Sequence, residues 1–293
     1  MAGLSLRGGA ALATPARMIP PVLCYHKIER RRELGVTRLS PRRFAGQIEA
    51  LARGGWTGMT LDTFSATVRG ERTAGERELL VTFDDAYRGL RDHAFPVLRD
   101  AGFSGVCFVI TDYAGRLNRW DVAYGGRRFA HLAWRDMDRW AASGIAFESH
   151  SATHPRLPWV DRGRLEDELV RSRRAIRSAL GTQPVAIAYP FGAVTPEVTV
   201  AAVRAGYRLG FGVGGRRLRD AMLIPRTPVH CWSPRLPVVG PSGSLERIAS
   251  TLATRCSVGT NLWRRLTSGL DEILRDDGKQ RRVPDEGFAE DAP

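Results

Sequence analysis

The sequence predicts an α/β fold whose mostly parallel sheet is either open or closed into a barrel. From residue 21 onward, short runs of apolar and β-branched residues alternate with longer amphipathic segments, as repeated strand–helix units do. A length of 293 residues with a hydrophobic share of 43% is enough to bury the core of one large domain or of two modest ones. The chain is therefore expected to be a globular protein.

Six of the short runs have the length and composition of buried strands. They cover residues 21–26, 78–83, 105–110, 144–149, 184–189 and 208–213. In parallel α/β folds, functional groups gather where the strands end at their carboxyl edge. The polar residues and turns that follow these runs are therefore the candidates for chemistry: His26, Asp84, Asp85, Thr111, Asp112, His150 with His154, and the turn at 189–192.

Two amphipathic segments carry helix signals at both ends. The first has Ser40 as a predicted N-cap and Pro41 at the first helical position, and it stops at Gly54–Gly55. The second covers residues 161–181 and ends in a glycine. Both have apolar residues at helical spacing, namely Phe44, Ile48 and Leu51 in the first and Leu165, Leu169, Ile176 and Leu180 in the second.

The pattern changes after Cys231. Residues 21–231 are expected to form the α/β domain, preceded by a flexible segment at 1–20. Residues 232–279 predict one or two amphipathic helices, and the polar stretch 280–293 is typical of a disordered tail. These helices could pad the core, support oligomerisation, dock a partner or lie on a membrane. We favour padding or oligomerisation because the charges of the segment balance.

The formal net charge of +13 suggests nucleic acid or an anionic surface as a partner. However, Lys27 and Lys279 are the only lysines, and the arginines are spread along the chain instead of forming one basic block. Because the sequence also holds no motif that reads RNA or DNA, we interpret the charge as background composition. Nucleic-acid binding is a minority hypothesis, and no nucleic-acid partner is expected.

The cysteines and the N-terminal residues give information on the cellular location of the protein. Cys24, Cys107, Cys231 and Cys256 are far apart and form no CxxC pair, so neither a structural zinc site nor a disulfide framework is indicated. The N-terminus lacks the apolar block of a signal peptide, and no stretch approaches the roughly 20 apolar residues of a membrane span. We therefore expect a cytoplasmic location, with an export route left open.

Two strand ends carry residues typical of a metal site. His150 and His154 in ESHSATH are four residues apart and can converge on one ion, although two ordinary surface histidines are the plainer alternative. Catalytic zinc usually takes three protein ligands, and the pair Asp84–Asp85 offers a third. One carboxylate would bind the ion and the other would take a proton from the attacking water. Alternatively, either aspartate could cap a helix that begins near Tyr87.

The order of VTFDDAY, ESHSATH and AYPFGA resembles the polysaccharide deacetylase family, carbohydrate esterase family four, from about residue 21 to residue 230. The resemblance implies a distorted (β/α) barrel of about seven strands and a metal-dependent hydrolase that removes N-acetyl groups from amino sugars. It also implies that Asp84 is the catalytic base and that Asp85, His150 and His154 bind a divalent metal, with zinc the first candidate. The implied partner is an N-acetylated carbohydrate.

Several positions depart from the family pattern, and the roles of others are left undecided by the sequence. Ala188 stands where an arginine commonly orients the base, and Arg226 could replace that arginine or form a structural ion pair. The general acid is either His230 or His26. Glu148 occupies a position where glycine is frequent and could alter the pocket beside His150. The candidate substrate-binding residues are Tyr189, Pro190, Phe191, Gly192 and Arg226.

The motifs specify the reaction better than the leaving group. An O-acetyl esterase or a non-carbohydrate amidase on the same metal site is therefore the first alternative. A non-catalytic carbohydrate-binding protein is the second, and the presence of Asp84, Asp85, His150 and His154 argues against it.

Overall fold

A computed structural model describes residues 19–31, 36–119, 128–213 and 220–231, together with Ser233 and Leu236. Nearly all of the predicted N-terminal segment, the C-terminal helices at 232–279 and the tail at 280–293 lie outside these residues. Cys256 also lies outside them. Within the described part of the chain, no helix is long and apolar enough to cross a membrane.

The six predicted strands are confirmed, and four strands of two residues each accompany them. The short strands escape prediction because two residues show no periodicity. In chain order the strands are β1 Val22–Tyr25, β2 Lys27–Ile28, β3 Arg38–Leu39, β4 Thr57–Gly58, β5 Glu78–Phe83, β6 Gly105–Val109, β7 Ile145–Ser149, β8 Ala186–Ala188, β9 Leu209–Phe211 and β10 Thr227–Pro228.

The main sheet is parallel throughout and runs in the order β10-β1-β5-β6-β7-β8-β9, with β4 paired to the start of β5. The segment 221–228 joins the two edges of this sheet. Ile224 forms a parallel bridge with Phe211 of β9, and Thr227 and Pro228 pair with Leu23 and Cys24 of β1. The sheet is thus curled into a distorted (β/α) barrel, which confirms the predicted fold class.

Seven α-helices lie in the described part of the chain: α1 Pro41–Arg53, α2 Leu61–Arg69, α3 Gly89–His93, α4 Phe95–Asp100, α5 Trp134–Ala141, α6 Arg162–Leu180 and α7 Pro196–Arg204. The two predicted helices, α1 and α6, start and stop as expected. Ser40 accepts a hydrogen bond from the backbone N–H of Arg43, and Asp161 accepts one from Arg164. Gly181 ends α6 in the left-handed region at φ 68°, where glycine carries no steric cost.

The two faces of the curled sheet are both apolar. One face packs against α1, α4 and α5, and the opposite face fills the barrel interior, where α2 adds Leu61 and Phe64. Phe108 of β6 and Phe211 of β9 lie in this interior cluster. Because both faces are filled, the polar groups at the carboxyl ends of the strands are the ones free to assemble a site.

Candidate active site

The first part of the site is the turn that follows β5. Asp84 is held beside β1 by its backbone N–H, which donates to the carbonyl oxygen of Tyr25 at 2.9 Å. The backbone then turns sharply, because Asp85 has φ 71° and Ala86 has φ 55°. Two successive non-glycine residues in the left-handed region cost roughly 1–3 kcal/mol each. This turn brings both carboxylates to one edge of the sheet, where an extended strand would have sent them to opposite sides.

The alternative that these aspartates cap a helix is wrong. The first helix after them is α3, which begins at Gly89, and its N-cap residue is Arg88. No side chain makes a capping hydrogen bond there. Both aspartates are instead buried at the strand end, each 3% exposed.

Three side-chain atoms converge at this edge and form a candidate metal site. Oδ1 of Asp85 lies 3.5 Å from Nε2 of His150 and 3.5 Å from Nε2 of His154. The two Nε2 atoms are 3.2 Å apart. Metal bonds of about 2.0–2.1 Å at tetrahedral angles separate neighbouring ligand atoms by about 3.3 Å, so the triangle matches a zinc-sized site with one open position.

The histidine tautomer also fits a metal ion. Nδ1 of His150 lies 2.7 Å from the carbonyl oxygen of Ala188, which can only accept a hydrogen bond, so Nδ1 carries the proton. Burial lowers the pKa of His150, which favours the neutral ring. In that ring Nε2 holds a free lone pair directed at the other two donor atoms. This is the arrangement by which a second hydrogen bond orients a metal-binding histidine.

The loop that carries His154 is a tight turn anchored on α6. Glu168 of α6 accepts hydrogen bonds from the backbone N–H groups of Ala152 and Thr153 at 2.9 and 2.8 Å, and from the Thr153 hydroxyl. Ser151 accepts a further bond from the backbone N–H of His154. Sequence reasoning missed Glu168, since a glutamate on an amphipathic helix gives no sign that it faces inward.

Asp84 stands beside this triangle and is paired with Arg226. The guanidinium donates from Nη1 to Oδ1 at 2.6 Å and from Nη2 to Oδ2 at 2.7 Å, which is a bidentate pair. Oδ2 of Asp84 lies 3.9 Å from Nε2 of His150. Burial by itself would raise the pKa of Asp84, but the positive charge and hydrogen bonds of Arg226 outweigh it and hold that pKa well below its ordinary value. Asp84 is therefore a carboxylate at neutral pH.

Arg226 is itself fixed from several sides. It is 1% exposed, and its guanidinium lies 5.3 Å from the ring centroid of Phe108 and 6.0 Å from that of Phe211. Its Nε donates to the carbonyl oxygen of Gly212 at 3.0 Å. Of the alternatives left open for this arginine, the geometry corresponds to the one in which it orients Asp84. Its burial leaves no surface for the substrate contact that the sequence suggested.

Cys24 of β1 and His26, which directly follows β1, also approach Asp84. The thiol of Cys24 donates to Oδ2 of Asp84 at 3.5 Å, and Nε2 of His26 lies 4.0 Å from the same oxygen. Sequence reasoning missed Cys24. The register of two separate strands places it there, because Cys24 pairs with Thr82, two positions before Asp84.

The two candidate general acids differ in their position. His26 lies beside Asp84 and is partly exposed, and burial lowers its pKa to about 4. His230 is buried, and burial lowers its pKa as well. The backbone N–H of His230 donates to the hydroxyl of Ser233. His26 therefore lies directly beside the base.

The turn at residues 189–192 divides between core and site. Tyr189 is completely buried, and its hydroxyl donates to the carbonyl oxygen of Met222 at 3.0 Å, so it does not face the triangle. Pro190 is also buried. Phe191, at φ 59°, places its ring 4.5 Å from that of His154. Gly192 packs closely against Val213 at φ 63°. Of these four residues, Phe191 is therefore the one whose side chain borders the site.

Glu148 does not intrude on the pocket beside His150. Its carboxylate turns to the start of β8 and accepts backbone hydrogen bonds from Val185 at 2.9 Å and Ala186 at 2.7 Å. Burial raises the pKa of Glu148 to about 8, although these two bonds lower it. The side chain thus ties β8 to β7, which otherwise pair through Ser149 and Ile187.

Two comparisons of the sequence with known proteins both find polysaccharide deacetylases. Residues 71–210 match the family model described as polysaccharide deacetylase. YxkH of Bacillus subtilis (strain 168), which carries the name of a polysaccharide deacetylase, is 27% identical over 196 residues, or 67% of this chain. The match covers 64% of the YxkH sequence, so this chain corresponds to less than two thirds of that relative.

Solved structures share the fold. IcaB from Ammonifex degensii superimposes with a TM-score of 0.66 at 25% identity and covers 76% of this chain and 96% of its own. The Streptococcus pyogenes deacetylase PplD, solved in complex with acetate, gives the same TM-score at 20% identity. Its match covers 75% of this chain and 96% of PplD.

Proposed function

We propose that this chain is a member of the polysaccharide deacetylase family and a metal-dependent hydrolase that removes N-acetyl groups from an amino sugar in a glycan or glycan precursor. The observation that carries the proposal is the convergence of Asp85, His150 and His154 within hydrogen-bond range of one another, beside a second carboxylate that Arg226 keeps ionised. The donor set of two imidazoles and one carboxylate is one that catalytic zinc uses.

Each residue has a role that follows from its position. Asp85, His150 and His154 would hold the ion, and Asp84 would take a proton from the attacking water. The ion, when bound, supplies Lewis acidity that polarises the acetamide carbonyl and makes water a better nucleophile at neutral pH. Asp84 suits its role because it is ionised and stands outside the triangle of donor atoms, 3.9 Å from His150.

The departing amine needs a proton, and we assign its delivery to His26. Since burial lowers the pKa of His26 to about 4, the ring is neutral at pH 7 and can receive a proton from Asp84 before passing it on. Nε2 of His26 is 4.0 Å from Oδ2 of Asp84, which is close enough for transfer after a small shift or through one water.

Replacing His26 with glutamine is expected to lower kcat by a factor of about 10² or more, because general acid–base groups contribute about 10²–10⁴. The same substitution at His230 is expected to change kcat by less than about tenfold, within the range of an indirect effect. Steady-state acetate release from the two variants checks this assignment. If His230→Gln has the large effect and His26→Gln the small one, the acid is His230.

The proposed activity is tested by metal analysis of the purified protein together with acetate release. We expect one divalent ion per chain, loss of activity on chelation and recovery on adding Zn²⁺. His150→Ala should bind no metal and release no acetate, because it removes one of three ligands. His93→Ala, which changes a histidine of α3 outside the site, is the matched control and should behave as the wild type. Wild-type protein that releases acetate equally well after complete metal removal would contradict the proposal.

The substrate class is tested with a panel of N-acetylated and O-acetylated sugars and simple acetamides. We expect acetate from N-acetyl sugars. Release from O-acetyl sugars alone would favour the esterase alternative, and release from simple acetamides with no dependence on a sugar would favour the amidase. Retention of sugars without any turnover would favour a binding protein. In the cytoplasm the substrate would be a nucleotide-linked or lipid-linked precursor, whereas an exported form would meet a polymer.

A further inference from the structure

The left-handed turn at Asp85 and Ala86 needs support from outside the strand that leads into it. Non-glycine residues rarely adopt φ values of 71° and 55°, and here two do so in succession. The proposed metal ligand is therefore attached to a backbone conformation that the local sequence does not favour.

The support comes from residues 128–133, which run antiparallel to the turn. The backbone N–H of Leu132 donates to the carbonyl oxygen of Ala86 at 2.8 Å, and that of Arg88 donates to the carbonyl oxygen of Ala130 at 2.8 Å. Tyr87 and His131 form an antiparallel bridge between these bonds. The carbonyl group of Asp85 lies at the end of this ladder, and its partner is the Nδ1 atom of His131 at 2.6 Å.

Only a His131 ring that carries a proton on Nδ1 can donate this hydrogen bond. A carbonyl oxygen can only accept, so the proton is on Nδ1. The ring is 2% exposed and stacks on the Tyr87 ring with centroids 4.7 Å apart and an angle of 23°. The centroid of the Tyr113 ring lies 5.5 Å from that of His131, with an angle of 45° between the two rings. Packing thus holds the Nδ1–H donor of His131 in place, and a donor held in this way can fix the position of the Asp85 carbonyl group.

We infer that His131 is a positioning residue that sets the affinity of the metal site by holding the backbone of Asp85. This inference rests on the proposed function of that site. The carboxylate of Asp85 meets both ligand histidines at 3.5 Å, and it belongs to the same residue as the clamped carbonyl. If the clamp is lost, the backbone can relax from the left-handed region and carry the carboxylate out of the triangle.

Two substitutions separate the effect of the hydrogen-bond donor of His131 from the effect of its aromatic packing. His131→Asn places an amide N–H where Nδ1 stands and removes most of the ring, whereas His131→Phe keeps the aromatic stack and removes the donor. The measurement is Zn²⁺ affinity of the metal-free protein by competition with a chelator. We expect His131→Phe to bind Zn²⁺ about 10- to 100-fold more weakly, the usual effect of losing a group that orients a metal ligand. His131→Asn should bind close to the wild-type affinity.

A second readout separates positioning from catalysis. At saturating Zn²⁺, kcat of His131→Phe should return toward that of the wild type, while the Zn²⁺ concentration for half-activation rises. The inference is overturned if His131→Phe binds Zn²⁺ as tightly as the wild type, or if His131→Asn loses as much affinity as His131→Phe. Should the phenylalanine variant not fold, His131→Leu, which matches asparagine in shape without its donor, takes its place. If the wild-type protein binds no Zn²⁺, the proposed metal site itself is wrong, and the inference about His131 fails with it.

Discussion

Replacing Asp84 with asparagine is expected to lower kcat by a factor of about 10²–10⁴, which is the usual contribution of a general base. Asparagine has nearly the same shape but cannot take a proton from water. The ion should still bind with the wild-type stoichiometry, because Asp84 lies outside the triangle formed by Asp85, His150 and His154. Acetate release and metal content, measured on the same preparation, check both halves of this expectation.

The same variant should also be less stable. Arg226 is buried, and its charge is balanced by Asp84 through two hydrogen bonds. Asparagine leaves that charge without a counter-ion, and breaking a buried pair from one side costs about 3–5 kcal/mol. Assays therefore need a temperature at which circular dichroism shows the variant to be folded. A folded, metal-bound Asp84→Asn protein with wild-type kcat would show that Asp84 is not the base.

Replacing Arg226 with methionine is expected to destabilise the protein by about 3–5 kcal/mol and to shift the pH dependence of activity. In the wild type, the folded-state pKa of Asp84 lies below its ordinary value of 3.8 because Arg226 outweighs the effect of burial. This pair contributes stability above that pH and loses it as the pH falls. Without Arg226, burial raises the pKa of Asp84, so the acidic limb of the kcat/KM profile should move to higher pH.

The stability difference has a defined pH dependence. In Arg226→Met the buried carboxylate is unfavourable, so the variant should lose stability relative to the wild type as the pH rises from about 3 to 7. Thermal unfolding across this range measures the difference. Arg226→Lys, which keeps the charge but not the bidentate geometry, is the matched control and should fall between the two. Equal stability of Arg226→Met and the wild type at pH 7 would contradict the expectation.

A double variant separates the two roles of the pair. Asp84→Asn with Arg226→Met buries neither charge, so it should recover part of the stability that each single variant loses. It should recover no activity, because the base is still missing. A double-mutant cycle on the free energy of unfolding measures the coupling, and acetate release measures the activity of the same protein.

Much of the fold could be predicted from local signals. The six long strands and the helices α1 and α6 follow from apolar periodicity, and their ends follow from Ser40, Asp161 and the closing glycines. These signals work because hydrogen-bond capping and burial act over a few neighbouring residues. The strands of two residues were missed for the same reason, since they form only when a distant partner strand is already in place.

The site could be predicted in part. Because parallel strands end at one edge, the sequence indicated that Asp84, Asp85, His150 and His154 would meet there, and the structure brings their side chains together. The sequence could not indicate which residues hold these side chains in position. Arg226 is 142 residues from Asp84, and His131 is 46 residues from Asp85. No local pattern relates such pairs.

The sequence by itself determined the fold class, the edge of the sheet that carries chemistry and the residue types that gather there. The family resemblance implied different roles for the two adjacent aspartates, but only the tertiary structure decided which contacts each of them makes. Asp84 faces the guanidinium of Arg226, while the left-handed backbone at Asp85 turns the second carboxylate to the two histidines. The physical reason is that side-chain direction and charge environment depend on strand register and on the closure of the barrel by residues 221–228, which bring together groups far apart in the chain.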